Sequence, residues 1–145
     1  MSGSTDGQHA VRWNVPQDPT VLGDLRDMMR RTLADWGLRD PADVADDIVL
    51  AATEVLGNAV LYGLGPITFT LRVTGETLCA EVTDHGAGRP VYGGTGADDE
   101  HGRGLVIVEV LSDEWGVSPG PGGTAKTVWF RKRCPAAAGW TLPVR

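Results

Sequence analysis

The sequence predicts a two-layer α/β sandwich in which helices cover one face of a mixed, mostly antiparallel sheet. The 145 residues are enough for one domain that buries roughly 70% of its unfolded surface. Several segments alternate apolar and polar residues and follow one another as hairpins, whereas others repeat apolar residues at helical spacing. Hairpin strands with helices grouped between them favour a sheet covered on one side.

A short strand and two helices are predicted in the N-terminal half. The strand alternates apolar and polar residues over 11–15. Each helix begins at an Asp-Pro pair, Asp18-Pro19 or Asp40-Pro41, because the carboxylate caps the first turn and proline suits the first helical position. The two helical patterns end near Gly37 and Gly63.

In the second half, the pattern predicts two alternating strands over 67–73 and 78–83 and a glycine-rich loop over 84–103. An apolar helix over 105–111 and a closing hairpin over 115–130 follow. Gly75-Glu76 joins the first two strands as a hairpin turn. The apolar segment 105–111 follows Gly104 and predicts a buried helix, although its length alone would also allow a strand.

The composition excludes several classes of protein. The formal net charge of −6 argues against a duplex nucleic acid as the main partner, because binding to phosphate backbones needs a basic face. No apolar stretch is long enough for a membrane span, and residues 1–10 lack the pattern of a secretory signal. Cys79 and Cys134 are too few for a disulfide framework, so we expect reduced thiols in a cytoplasmic protein.

Two polar residues interrupt the apolar run of the second predicted helix. Glu54 and Asn58 lie four residues apart and therefore share a helix face. A carboxylate and an amide in an apolar run are costly to bury unless they are paired or face a ligand. Taken alone, such a pair more often forms the solvent-exposed stripe of a helix.

Two glycine-containing motifs follow. In Asp84-His85-Gly86-Ala87-Gly88, a carboxylate stands at a strand end and the glycines allow a close backbone approach to a ligand, although a simple Asx turn has the same pattern. In Gly102-Arg103-Gly104-Leu105, a glycine-rich loop enters a helix, where backbone N–H groups can hold an anion. A plain N-cap loop explains the second motif as well.

Together the three motifs resemble the Bergerat-fold ATPases shared by gyrase, the heat-shock chaperone, histidine kinases and mismatch-repair proteins. The boxes E-x-x-x-N, D-x-G-x-G and G-x-G occur in the family's order, and the resemblance covers residues 10–132. We therefore expect a flexible leader over 1–9, a histidine-kinase-like ATPase domain over 10–132 and a C-terminal tail over 133–145. The short form is similar to anti-sigma-factor serine kinases of bacterial partner-switching systems.

The resemblance implies a site for ATP and Mg²⁺. Asn58 would hold Mg²⁺ through its amide oxygen, which suits a hard cation, and Glu54 would act as general base. Asp84 would accept a hydrogen bond from the adenine amino group, which distinguishes adenine from guanine. Gly86 and Gly88 would let the backbone approach the base.

The resemblance also implies a lid over the phosphates, formed by residues 89–101. Backbone N–H groups at the start of the following helix would bind the phosphate chain; they belong to Gly102, Arg103, Gly104 and Leu105. Three adjacent acids, 98–100, would repel a triphosphate unless they point into solvent. Where the family usually has an adenine-binding threonine, this chain has Lys126, with Thr124 and Thr127 on either side.

The implied function is a protein serine kinase that phosphorylates an anti-anti-sigma protein, sequesters a sigma factor, or does both, as a homodimer without membrane or direct nucleic-acid contacts. The alternative is a non-catalytic ATP-binding or protein-docking module of a signalling pathway. A detached histidine-kinase ATPase domain is a third interpretation, disfavoured because no phosphoacceptor helix pair is found upstream and His9 lies in the leader.

Overall fold

The computed structural model describes residues 9–38, 42–86, 99–119 and 125–134. Three helices and five strands follow one another there, as β1 (His9–Val15), α1 (Leu22–Asp35), α2 (Ala42–Tyr62), β2 (Ile67–Thr74), β3 (Thr77–Asp84), α3 (Asp99–Leu111), β4 (Glu114–Pro119) and β5 (Lys126–Arg133). The strands form one sheet in the order β1-β2-β3-β5-β4, with every described pair antiparallel. The predicted α/β sandwich with helices on one face of the sheet is confirmed.

The core lies between the sheet and the helices. Alternation along β2 buries one set of side chains, which are Ile67, Phe69, Leu71 and Val73. From the helix side, α2 supplies Ile48 and Leu56, which are both completely buried. Although α2 has 21 residues, neither it nor another described helix combines the length and apolarity needed to cross a membrane.

The predicted start of the first helix is present, with a tighter first turn than expected. The Asp18 carboxylate accepts hydrogen bonds from the backbone N–H of Thr20 at 3.0 Å and from its hydroxyl at 2.9 Å. These hydrogen bonds lower the pKa of Asp18, because they stabilise the ionised carboxylate. A 3₁₀ turn over Pro19–Val21 follows the cap, and α1 continues from it.

The turn between β2 and β3 forms at the predicted glycine. Gly75 has a φ of +60°, which a residue with a side chain rarely adopts. A glycine with positive φ at the first central position is typical of a type II′ turn, which suits the twist of the flanking strands. The strands consequently pair from Thr74 with Thr77 to Thr68 with Thr83.

The start of α3 differs from the prediction. A helix beginning at Leu105 was expected, but α3 begins at Asp99 and includes the whole Gly102–Leu105 motif. Acidic residues at Asp99 and Glu100 favour a helix start there, because carboxylates in the first turn interact well with the positive end of the helix. Two interior glycines cost only about 1 kcal/mol each, so they do not prevent helix formation. Residues 99–101 of the predicted lid therefore belong to a helix, and the rest of it lies outside the described residues.

Candidate functional site

The site is built around a buried carboxylate at the end of β3. Asp84 is 2% exposed, and among the described side chains it is the only charged one that is buried. Its Oδ1 accepts the backbone N–H of Gly86 at 2.6 Å and lies 3.7 Å from the Nζ of Lys126. A buried charge is tolerated only with such partners. The structure thus holds a buried carboxylate with two described partners at the strand end predicted from the sequence.

The C-terminal end of α2 lies directly against this carboxylate. A Cβ atom on Gly63 would come within 2.7 Å of the Ala59 carbonyl oxygen and 2.7 Å of the Asp84 Cγ. A Cβ atom on Gly86 would lie 3.2 Å from the Cα of Gly63. Only residues without side chains allow the helix end, the strand end and the following backbone to approach this closely.

Hydrogen bonds fix the turn that follows α2. The Gln17 side chain donates to the carbonyl of Gly63 and accepts the N–H of Gly65 at 3.1 Å. The N–H of His85 donates to the Leu64 carbonyl at 2.8 Å. The end of α2 and the end of β3 are therefore held in one arrangement. Sequence reasoning missed the contribution of Gln17, because the bond joins residues 46 apart and nothing local indicates it.

Glu54 and Asn58 lie on α2, at the margin of the core. Both side chains are half-buried, whereas their neighbours Val55 and Leu56 are buried completely or nearly so. A Cβ atom on Gly57, between the two, would meet no described atom within 4 Å. Asn58 precedes Gly63 by five residues, or about 7.5 Å along the helix. The polar pair therefore lies on the helix that is followed by the contact between Gly63 and Asp84.

This donor set fits a magnesium ion whose remaining ligands come from phosphate and water. The amide oxygen of Asn58 is a neutral hard ligand, and Mg²⁺ commonly takes only one or two protein ligands at nucleotide sites. Within the part of the chain described here, no three His, Cys, Asp or Glu residues are grouped so that they could bind a metal by themselves.

Of the predicted site residues, Asp84 and Gly86 are in direct contact, and Glu54 and Asn58 lie on α2, the helix that is followed by Gly63 beside Asp84. Gly88 lies outside the described residues. Gly102, Arg103 and Gly104 lie within α3, and the Leu105 side chain is buried in the core at 1% exposure. In a helix that begins at Asp99, the N–H groups from residue 103 onward face helical carbonyls, so the expected exposed N–H groups at 103–105 are not found. A phosphate-binding role for this motif stays a prediction.

Strand register distinguishes the candidates for the position beside Asp84. Thr127 pairs with Thr83 across the two strands, and their hydroxyl oxygens lie 2.7 Å apart. Lys126 is one residue away and pairs with Asp84, so its side chain points to the opposite, helix-covered face. Thr127 is consequently excluded as a direct neighbour of Asp84, and Thr124 lies outside the described residues. From the sequence, Lys126 was identified only as a departure from the family pattern, and its pairing with Asp84 was not predicted.

The fold is similar to that of two solved structures. One contains the RsbU and RsbW domains of Rv1364c from Mycobacterium tuberculosis, with a TM-score of 0.59 and 21% identity over 88% of this chain and 33% of that one. The other is the histidine kinase domain of the blue-light activated histidine kinase from Erythrobacter litoralis EL346, with a TM-score of 0.51 and 22% identity over 82% of this chain and 61% of that one. The chain thus spans about a third and about three fifths of the lengths of these two proteins.

Sequence comparison identifies the family. No curated protein matches the chain. The family described as the histidine kinase-like ATPase domain matches residues 15–132, which is most of the 145-residue chain. The match agrees with the fold and with the order of the three motifs, and the predicted resemblance is confirmed at this level. This chain belongs to the histidine kinase-like ATPase domain family.

Proposed function

We propose that this protein binds Mg-ATP and transfers the terminal phosphoryl group to a serine of an anti-anti-sigma protein, and that it also binds a sigma factor. The proposal extends the family assignment, which supports an ATPase-type fold, to a substrate and a partner. The similarity to a structure that contains an RsbW domain supports this direction. We place the activity in the cytoplasm. We also propose that the protein acts as a homodimer, and a mass measurement in solution would test the dimer.

One observation carries the nucleotide part of the proposal. The half-buried pair Glu54 and Asn58 lies on the helix whose end touches the buried Asp84 carboxylate. We assign the Asp84 carboxylate to the nucleobase and the Asn58 amide to the metal. The absence of any described atom within 4 Å of a Cβ on Gly57 supports room for a ligand beside α2. An ordinary solvent-exposed stripe would explain the helix pair but not the buried charge at its end.

Each residue would have a separate task. Asp84 would bind the base and Asn58 would hold the metal, which when bound neutralises charge on the phosphates. Glu54 lies one helical turn before Asn58 and would accept the proton of the attacking serine hydroxyl. Phosphoryl transfer needs little covalent chemistry from the protein, so positioning and charge account for most of the catalysis.

Transfer of label from [γ-³²P]ATP tests the proposal. We expect the purified protein with Mg²⁺ to label at least one member of a panel of anti-anti-sigma proteins on serine. The matched control is a Ser→Ala variant of the labelled partner, which should stay unlabelled. Nucleotide binding without transfer to any panel member, together with stable partner binding, would instead support the non-catalytic module.

Two exposed apolar side chains on α3 favour testing the non-catalytic docking module together with the kinase. Val106 and Val110 lie four residues apart on α3 and are 41% and 74% exposed. Such apolar side chains on one helix face are a common feature of protein interaction sites. Docking through α3 is compatible with either function, so the transfer assay and not binding alone decides between them.

A further inference from the structure

Gln17 connects the segment between β1 and α1 to the turn that follows α2. Its side-chain amide donates a hydrogen bond to the carbonyl oxygen of Gly63, and its amide oxygen accepts the N–H of Gly65 at 3.1 Å. These partners lie 46 and 48 residues further along the chain. One exposed side chain therefore holds the turn at two backbone positions.

The residue that follows Asp84 holds the same turn at the two positions between and after these. The N–H of His85 donates to the Leu64 carbonyl at 2.8 Å, and the Nδ1 of His85 lies 3.1 Å from the Pro66 carbonyl oxygen. A carbonyl oxygen only accepts hydrogen bonds, so the Nδ1 carries the proton in this contact. The turn is thus bonded both to Gln17 and to the end of the site strand.

The position of this turn bears on the orientation of the Asp84 carboxylate. Gly63 lies against the Oδ1 of Asp84, because a Cβ atom on the glycine would come within 2.8 Å of that oxygen. The N–H of Gly86 donates to the same oxygen at 2.6 Å. Close-packed groups transmit small displacements to one another. A shift of Gly63 would therefore change the direction in which the carboxylate presents its oxygens.

We propose that Gln17 is a positioning residue for nucleotide binding. By holding the turn at Gly63 and Gly65, it keeps the Asp84 carboxylate in the orientation that accepts the amino group of adenine. Gln17 acts through Asp84 and makes no contact with the nucleotide itself. The inference rests on the proposed nucleotide site and goes further, because it assigns a task at that site to a residue outside the three motifs.

Calorimetric titration of the full chain with Mg-ADP and Mg-IDP tests the proposal, because hypoxanthine carries a keto oxygen where adenine carries the amino group. We expect wild type to prefer ADP. Gln17→Met keeps the length of the side chain and removes both hydrogen bonds, so the ADP preference should fall by about three- to tenfold. IDP affinity should stay within about twofold, whereas a general loss of packing would lower both affinities alike.

A matched control and two further variants keep the test decisive. Thr20→Val removes a hydroxyl that donates to Asp18 at 2.9 Å in the same segment, so it should leave the ADP to IDP ratio unchanged. Gln17→Glu cannot donate to Gly63 and should also lower the ratio, which covers a failure of Gln17→Met to fold. Adding Gln17→Met to Asp84→Asn should change ADP affinity by less than about twofold, because the carboxylate through which Gln17 acts is then absent.

The outcomes are distinguishable. An unchanged ADP to IDP ratio in Gln17→Met and Gln17→Glu overturns the role of Gln17 while leaving the nucleotide site intact. An equal loss of ADP and IDP affinity, an equal fall of the ratio in Thr20→Val, or a further loss of ADP affinity in the Asp84→Asn background also overturns it. If wild type binds neither nucleotide, or if Asp84→Asn leaves ADP affinity unchanged, the proposed site itself fails, and the inference fails with it.

Discussion

Gly63 lies so close to Asp84 that a methyl group on the glycine would sit 2.7 Å from the carboxylate carbon. This contact joins the residue that follows α2 to the end of β3, and α2 is the helix that carries Glu54 and Asn58. The position of Asp84 relative to α2 thus depends on a residue that contributes no side chain. A site of this kind is sensitive to backbone packing as well as to its polar groups.

Two glycine substitutions, one within α2 and one directly after it, should have opposite effects on stability. Gly63→Ala forces a Cβ into contact with the Ala59 carbonyl and with Asp84, and overpacking of this kind costs about 1–3 kcal/mol. Gly57→Ala places its Cβ in open space, and the gain in helix propensity is up to about 1 kcal/mol. Urea unfolding of both variants against wild type measures the difference. Equal stability of the two variants would contradict the close contact at Gly63.

Asn58→Ala should remove the part of ATP affinity that depends on Mg²⁺. The amide oxygen is the assigned protein ligand, and alanine offers no replacement. Calorimetry with ATP, in Mg²⁺ and in EDTA, measures the metal-dependent part directly. Asn14→Ala is the matched control, because Asn14 is exposed on β1 and its register with Thr68 and Thr83 places it on the sheet face opposite that of Asp84. An Asn58→Ala protein that keeps the full Mg²⁺ dependence would exclude the assignment.

Glu54→Gln should separate catalysis from binding. The amide keeps the shape of the side chain but cannot accept a proton, so we expect transfer to fall by roughly 10²–10⁴ with ATP affinity within a few fold. Transfer rate, ATP affinity and melting temperature are measured on the same preparations. Glu109→Gln, on the exposed side of α3, is the control for the change of charge. Equal transfer by Glu54→Gln and wild type would rule out a general-base role.

Neutralising the acids at the start of α3 should have two effects. Asp99→Asn with Glu100→Gln should tighten ATP binding at low salt, where repulsion of the phosphates is least screened. The same change should destabilise the helix start by about 0.3–1 kcal/mol per charge. Affinity and melting temperature at low and high salt measure both. Asp27→Asn with Asp35→Asn changes the net charge equally on α1, and a similar affinity gain there would argue against a local effect.

Cys79 should react slowly with thiol reagents at neutral pH. Burial raises the pKa of the Cys79 thiol, and the nearby Glu81 carboxylate raises it further. Since the thiolate is the reactive form, alkylation should become fast only at a pH above the usual thiol range. Glu81→Gln should move that pH dependence downward, because Arg72 and Arg131 then act on the thiolate without the opposing carboxylate. Cys79→Ser identifies the reacting site, because the other cysteine, Cys134, is fully buried. A pH profile of alkylation that Glu81→Gln leaves unchanged would contradict this account.

The sequence alone determined the elements with a strong local pattern. The alternation of β2 and β3, the Asp18-Pro19 helix start and the glycine turn at Gly75 all depend on interactions within a few residues, so local patterns predict them. The order of the three motifs was sufficient to predict the family, because each motif is short and contiguous. The start of α3 was predicted wrongly, because the glycines at 102 and 104 and the lack of periodicity before them do not indicate a helix. Packing of α3 against α2 supports the helix, and a local pattern does not show such packing.

Tertiary structure decided which residues meet at the site. Gly63 and Gln17 act through contacts with residues far along the chain, and no periodicity or spacing indicates such contacts. Lys126 rather than Thr127 faces Asp84 because the register of β3 against β5 fixes it, and a shift of one residue would exchange the two faces of the strand. Register and close packing arise from the assembled sheet and helices, so the identity of the residue beside Asp84 is a property of the fold and not of either strand alone.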